Sequence, residues 1–266
     1  MNPEQEHHPS PTLQSGLRIL MVDDNRVNLF LGKRILNNLG FTLVTLSDNP
    51  AEALRLAEEQ LFEVVLTDVE MPGMNGYELS RMLRQQESGA VRRTIIAITA
   101  NASGEDREQA REAGIDAYLT KPYSPQELAE LLTEFHPGSP KSETIDPALL
   151  PEGGLEQVYA VFNHNMADVR IFLQMLSRHI PELLDEIECS LDEPTDLNKA
   201  YQSAHKLKSP VKLLAAPAFA SAFSSFAESL RTVDEVHALR QAFADLKPGL
   251  IALLVLVNTG LENTSS

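Results

Sequence analysis

The sequence predicts an α/β unit followed by an all-α unit: a doubly wound, five-stranded parallel sheet, then a four-helix bundle. Three observations carry this. Short β-forming runs alternate with helical patterns through the first half, as repeated βαβ units require. A segment rich in turn and breaker residues, His136 to Pro147, ends that alternation. Beyond it only helical periodicity is found.

The elements follow in order. "LRILMV" (17–22) is an apolar strand that runs into acid, and "NLFLGKRILNNLG" is a helix stopped by Gly40. "FTLVTL" is the second strand, and Pro50 opens the next helix in "DNPAEALRLAEEQ". "FEVVLTD" is a strand that ends on Asp68, and "TIIAITA" and "AYLT" supply the last two. Ser124, Pro125 and Glu127 form a helix start with a capping box. Past the breaker segment, "DVRIFLQMLSRHIPELLDEIECSL", "DLNKAYQSAHKLK", "APAFASAFSSFAESLR" and "VDEVHALRQAFADL" keep helical spacing. The expected division is a polar tail over 1–16, the α/β unit over 17–135, a linker over 136–147, the bundle over 148–260 and a tail over 261–266.

Composition narrows the function. The 266 residues carry a net charge of −16, which disfavours nucleic acid and anionic membranes as partners. Cys189 is the single cysteine, so no intramolecular disulfide or cysteine metal cage can form, as befits a reducing compartment. The start of the chain is polar, without an apolar leader. The apolar run "LIALLVLV" (250–257) falls short of the ~18–20 residues that span a membrane, and it reads as one end of a buried helix. A cytoplasmic location without membrane insertion is expected.

Three carboxylates lie where strands end: Asp23 and Asp24 after the first, Asp68 on the third. The C-terminal ends of a parallel sheet share one edge, where ligands bind. Three acids gathered there repel one another unless a cation is present, and an all-oxygen donor set favours a hard ion such as Mg²⁺. Thr99 and Lys121 end the fourth and fifth strands on the same edge. A hydroxyl and an ammonium beside a metal-bound carboxylate suit a phosphoryl group, and a carboxylate can be the nucleophile that forms an acyl phosphate. An aspartate-nucleophile phosphatase is the competing enzyme reading. Its D-x-D pattern is not met, because the second acid is Glu70 and "MPG" follows.

On these residues, Leu17 to about Phe135 resembles a response-regulator receiver domain. The matching elements are "MVDDN", "LTDVEMPGMNGYEL", Thr99-Ala100 and Lys121-Pro122. The resemblance implies a flavodoxin-like fold with Asp68 as phosphoacceptor. Asp23, Asp24, Asp68 and the backbone carbonyl of Glu70 would hold Mg²⁺, and Thr99 and Lys121 would contact the phosphoryl oxygens. It further implies a cis peptide before Pro122, an activation-linked aromatic at Tyr118, and acyl-phosphate lifetime tuned at Glu70 and Asn101. Partner choice would lie near the first helix of the unit.

In "AHKLKSPVKLLAA" (204–216), helical spacing puts Ala200, Ala204, Leu207, Val211 and Leu214 on a core stripe. His205 falls off that stripe and is expected to be exposed, with Lys208, Ser209 and Lys212 on its side. Imidazole titrates near ~6.5, so a neutral nucleophile is available at cell pH. His164, His179 and His237 have no comparable setting. The segment from about Asp146 to Asn258 is similar to a histidine phosphotransfer domain, a four-helix-bundle module. That resemblance implies His205 as a phosphorylated histidine and Lys208 as its basic companion. Ser209 stands where the family has glycine. Pro210 deletes the helical bond to the carbonyl of Lys206, at ~3 kcal/mol in an ordinary helix interior. The helix either kinks there or stops, with Ser209 capping a new one.

The two resemblances together imply a phosphorelay intermediate and phosphoryl carrier, with no kinase ATP-binding motif in the chain. An upstream histidine kinase would phosphorylate Asp68, and His205 would pass the group to a downstream response regulator. Two other expectations are open: a phosphorylation-switched binding module with His205 unused, and a phosphate sink that drains a kinase.

Overall fold

The protein is described by a computed structural model. The structure describes residues 16–87, 92–99, 104–121, 123–136, 154–192, 195–233 and 235–264. The polar tail over 1–15, most of the expected linker, Ala100, Asn101 and Pro122 lie outside the described residues.

The first half alternates β1 (Ile19–Val22), α1 (Arg26–Asn38), β2 (Val44–Ser47), α2 (Pro50–Glu59), β3 (Val64–Asp68), α3 (Gly76–Gln86), β4 (Thr94–Thr99), α4 (Gly104–Ala113), β5 (Ala117–Thr120) and α5 (Pro125–Phe135). The strands form one parallel sheet in the order β2-β1-β3-β4-β5. β1, β3 and β4 are buried along their whole length, which is why they read as continuous apolar runs rather than alternating ones. One apolar layer joins α1 and α5 to the sheet through Ile35, Leu36, Leu128 and Leu132, and another joins α2 and α3 through Ala53, Leu54, Leu79 and Leu83.

Local signals set the helix ends. Asn25 caps α1 by accepting from the Val27 amide, and Gly40 follows the helix at φ +90°, a conformation that favours glycine. Pro50 lies in the first turn of α2, and Ser124 with Glu127 closes a capping box on α5.

The second half is helical among the described residues: α6 (Leu155–Val161), α7 (Met166–Leu191), α8 (Leu197–Leu214), α9 (Pro217–Thr232) and α10 (Val236–Asn263). α7 packs on α8 and α10, and α9 packs on the same two, so α7–α10 close a ring. The expected stripe of Ala200, Ala204, Leu207, Val211 and Leu214 is buried in it. α8 continues through Pro210, so the helix does not stop there and Ser209 caps nothing new.

α10 corrects the reading of "LIALLVLV" as one end of a buried helix. The helix has 28 residues and is apolar enough to cross a membrane by length and composition, with a mean hydropathy of 1.5 over its best window. Counting only the uninterrupted apolar run hid this. Leu250 and Val257 face the core, whereas Ile251 and Val255 are 47% and 60% exposed.

The two halves touch through α1, which packs on α7. Val27 joins the core of the helical half, and Phe30 meets Phe162 at a ring-centroid distance of 6.1 Å. Arg34 pairs with Asp168 at 2.6 Å. Val27, Phe30 and Arg34 recur at the spacing of one helix face.

Candidate functional site

The sheet edge gathers the sequence-predicted residues. β1 delivers Asp23, held by the Ser47 carbonyl through its own amide at 3.2 Å. β3 ends on Asp68 and β4 on Thr99, whose carbonyl accepts from the Lys121 amide at 2.7 Å. Asp23, Asp68, Thr99 and Lys121 are all buried. The Lys121 ammonium lies 2.7 Å from Asp23 Oδ2 and 2.8 Å from Asp68 Oδ2. Asn28 donates to both oxygens of Asp23, and the Asn25 amide donates to Oδ1 at 2.9 Å.

Burial and charge act against each other here. Burial pushes Asp23 up to about 6, with Asp68 adding to the rise and Lys121 opposing it. At Asp68 burial also pushes up, but Lys121 and His205 prevail and hold the carboxyl below its ordinary range. Burial alone would lower Lys121; the two carboxylates reverse this and keep the ammonium charged.

Asp23, Asp24 and Asp68 could hold a metal ion, since one ligand atom from each lies within 4.8 Å of the others. An acidic, all-oxygen donor set fits a hard cation. Metal and proton therefore compete for Asp23. Without the ion, the raised value of Asp23 means that its contribution to stability is complete below ~3.9 and lost as pH rises through about 6. Mg²⁺ at a hundredfold over its Kd should add about 2.7 kcal/mol at pH 8 and far less at pH 5. Thermal melts with and without Mg²⁺ at the two pH values check this; an equal gain at both contradicts it.

His205 is at the same edge. Its Nε2 lies 3.9 Å from Asp68 Oδ2, and its Nδ1 lies 3.3 Å from Glu70 Oε2. The expectation that His205 is exposed is corrected: the side chain is 10% exposed, because the α/β unit covers it. The basic residues around it also sort differently. The helical wheel puts Lys208 beside His205, yet its buried ammonium turns to Glu228 on α9 at 2.5 Å. Lys206 instead reaches Asp24 at 3.1 Å, and Lys212 donates to the Lys121 carbonyl at 2.9 Å.

Four contacts were not foreseen. The Glu70 side chain, expected to tune acyl-phosphate lifetime while its carbonyl meets the metal, receives the Tyr201 hydroxyl and faces His205. Tyr201 precedes His205 by one helical turn, and the rings lie 5.8 Å apart. Asn25 Nδ2 donates to the Lys206 carbonyl at 2.9 Å. A cavity of about 960 Å³ opens beside these groups, lined by Asp24, Glu70, Thr99, Tyr201, His205 and Arg231 among others.

The model of the response regulator receiver domain matches residues 19–133. The virulence sensor protein BvgS of Bordetella bronchiseptica is 33% identical over 218 residues, covering 77% of this chain and 17% of that protein. The sensor protein EvgS of Escherichia coli is 28% identical over 205 residues, 76% of this chain and 16% of its own length. The chain thus spans less than a fifth of these relatives. Among solved structures, the receiver domain of a sensor histidine kinase from Pseudomonas aeruginosa, with magnesium in its active-site cleft, is 40% identical. It covers 46% of this chain and 98% of its own, with a TM-score of 0.42. Through residues 19–133, this chain belongs to the response regulator receiver family.

Proposed function

We propose that the protein is a phosphorelay intermediate in which a receiver (17–135) and a histidine phosphotransfer bundle (148–260) exchange one phosphoryl group within the chain. The observation that carries this reading is the approach of His205 Nε2 to 3.9 Å from Asp68 Oδ2. That gap is longer than a hydrogen bond and short enough for a group held on one atom to be reached by the other. The likeness to BvgS supports the pairing of the two halves, since 77% of this chain is more than the receiver match occupies.

An upstream histidine kinase is the donor to Asp68. The Asp68 carboxylate attacks phosphorus as the N–P bond of the kinase's phosphohistidine breaks, the electron pair returns to that imidazole, and Asp68 becomes an acyl phosphate. Lys121 and the Thr99 hydroxyl neutralise and orient its oxygens. Asp23, Asp24, Asp68 and the Glu70 carbonyl would hold Mg²⁺, which would supply further charge neutralisation at those oxygens. His205 Nε2 then forms the N–P bond as the O–P bond breaks, and the electron pair returns to the Asp68 carboxylate. This requires Nε2 to be free of its proton. Glu70 Oε2 stands 3.3 Å from Nδ1, the other ring nitrogen. Lys208 fixes α8 against α9 through Glu228, so its role is one of positioning. Both phosphoacceptors are buried in the docked state. The kinase and the downstream response regulator therefore each need the two halves apart.

Incubation of the chain with acetyl phosphate and Mg²⁺, followed by ³¹P NMR, tests the reading. A phosphoramidate on His205 that grows as the acyl phosphate on Asp68 decays is expected. An acyl phosphate that decays only to inorganic phosphate would exclude internal transfer and favour a phosphorylation-switched binding module.

A further inference from the structure

Pro210 sits inside α8, five residues after the phosphotransfer candidate, where an ordinary residue would donate its amide to the carbonyl of Lys206. Proline has no amide proton, so this carbonyl lacks its helical partner. In the structure that carbonyl accepts from Asn25 Nδ2 at 2.9 Å, across the boundary between the two halves. We propose that Pro210 is a docking device: it releases the Lys206 carbonyl as an acceptor that the Asn25 side chain reads, which registers α8 against the acidic edge of the sheet.

The chemistry at both ends fits. The Asn25 amide group is used twice. Its oxygen caps α1 by accepting from the Val27 amide at 3.0 Å, and its nitrogen faces α8. An aspartate or serine would serve the cap as well, but neither offers the amide donor. Lys206 is the residue after His205, so a bond to its carbonyl locates the imidazole along the helix axis. Its ammonium pairs with Asp24 at 3.1 Å, and Asn25 is the residue after Asp24, so two neighbours on one unit hold one residue on the other. A side-chain ion pair is supple, whereas a backbone carbonyl is fixed by the helix. The device therefore sets register, and the helix loses one internal bond in exchange. An ordinary residue at position 210 would close the helix and compete for the carbonyl, weakening its bond to Asn25.

This inference deepens the proposed function, because docking is what would bring Asp68 to His205, but its test reads docking directly. Cys189 is an exposed thiol on α7, and a second introduced on the receiver side as Gln60→Cys permits spin labelling of the full chain. Pulsed electron resonance then separates a narrow docked distance from a broad undocked one. Salt is raised until both populations of the otherwise unchanged chain are measurable. Pro210→Ala and Asn25→Ser should each lower the docked-to-undocked ratio about fivefold, as expected for one hydrogen bond. The double variant should also fall about fivefold, not about 25-fold, because both changes remove the same bond. Pro210→Ala should melt no lower than the parent, since it restores a helical bond.

A ratio unmoved by Pro210→Ala, multiplicative loss in the double variant, or no docked population in the parent would each overturn the inference. The shared fivefold loss in a chain that never phosphorylates His205 would sustain the docking device and sink the phosphotransfer reading. Internal transfer with no change in docking would do the reverse.

Discussion

Asp68→Asn is expected to abolish phosphate on both Asp68 and His205, whereas His205→Gln should keep the acyl phosphate and lose only the phosphoramidate. The amide of asparagine cannot act as the attacking carboxylate, so nothing enters the relay. Neither loss should reflect unfolding. Asparagine at 68 leaves Lys121 paired with Asp23 at 2.7 Å and relieves the repulsion between two buried acids. Mixing the two variants isolates the geometry. Within one chain, tethering gives the partners an effective concentration in the mM range. Between chains at about 10 µM, transfer should therefore be roughly 100-fold slower than in the parent. Quenched-flow sampling with acid- and base-stable phosphate assays measures it. A mixture as fast as the parent would mean that phosphate passes between molecules, and that the docked arrangement is not the productive one.

The site and its docking were legible to different degrees. Asp23, Asp68, Thr99 and Lys121 were found from sequence because a parallel sheet brings its strand ends to one edge regardless of what packs around it. The continuous apolar character of β1, β3 and β4 set the sheet, and the acids follow from it. Asn25, Tyr201 and the Glu70 carboxylate were missed because their roles depend on contacts between the halves. The Asn25–Lys206 bond joins residues 181 positions apart, and Tyr201 meets Glu70 across 131. Helical periodicity placed His205 off the core stripe correctly, but it knows only the helix. The wheel cannot show that the α/β unit covers His205 or that Glu228 takes Lys208. Pro210 is the instructive case. Its chemistry named the carbonyl it would free; only the fold supplies the group that takes it.

Lys121→Met is expected to be the most destabilising single change at the sheet edge. The lysine is buried between Asp23 and Asp68, with its ammonium within 2.8 Å of each. Removing one partner of a buried charge cluster typically costs about 3–5 kcal/mol, because the charges left behind are neither paired nor solvated. The pH dependence should change with it. In the parent, Asp68 is held below its ordinary value, so its contribution is present at neutral pH and is lost as pH falls through that depressed value. Without Lys121, burial and mutual repulsion lose their main opponent at both acids, with only His205 left to hold Asp68 down and the Asn25 amide to hold Asp23. Asp23 then lies further above its ordinary value and Asp68 rises with it, so the ion-free variant should gain stability as pH falls from 8 to 5. Mg²⁺ should restore part of the loss at pH 8 by supplying the missing positive charge. It should not restore the rate of Asp68 phosphorylation, for which loss of a preorganised charge at the phosphoryl oxygens predicts a drop of about 10²–10³-fold. Urea titrations at pH 5 and 8, with and without Mg²⁺, separate the two effects when paired with the rate from acetyl phosphate. The backbone carbonyl of residue 121, which accepts from Lys212, survives the substitution, so docking of the helical half should persist. A variant as stable as the parent at pH 8 without Mg²⁺ would mean that the two acids do not need the lysine, and that its place at the edge serves the phosphoryl group alone.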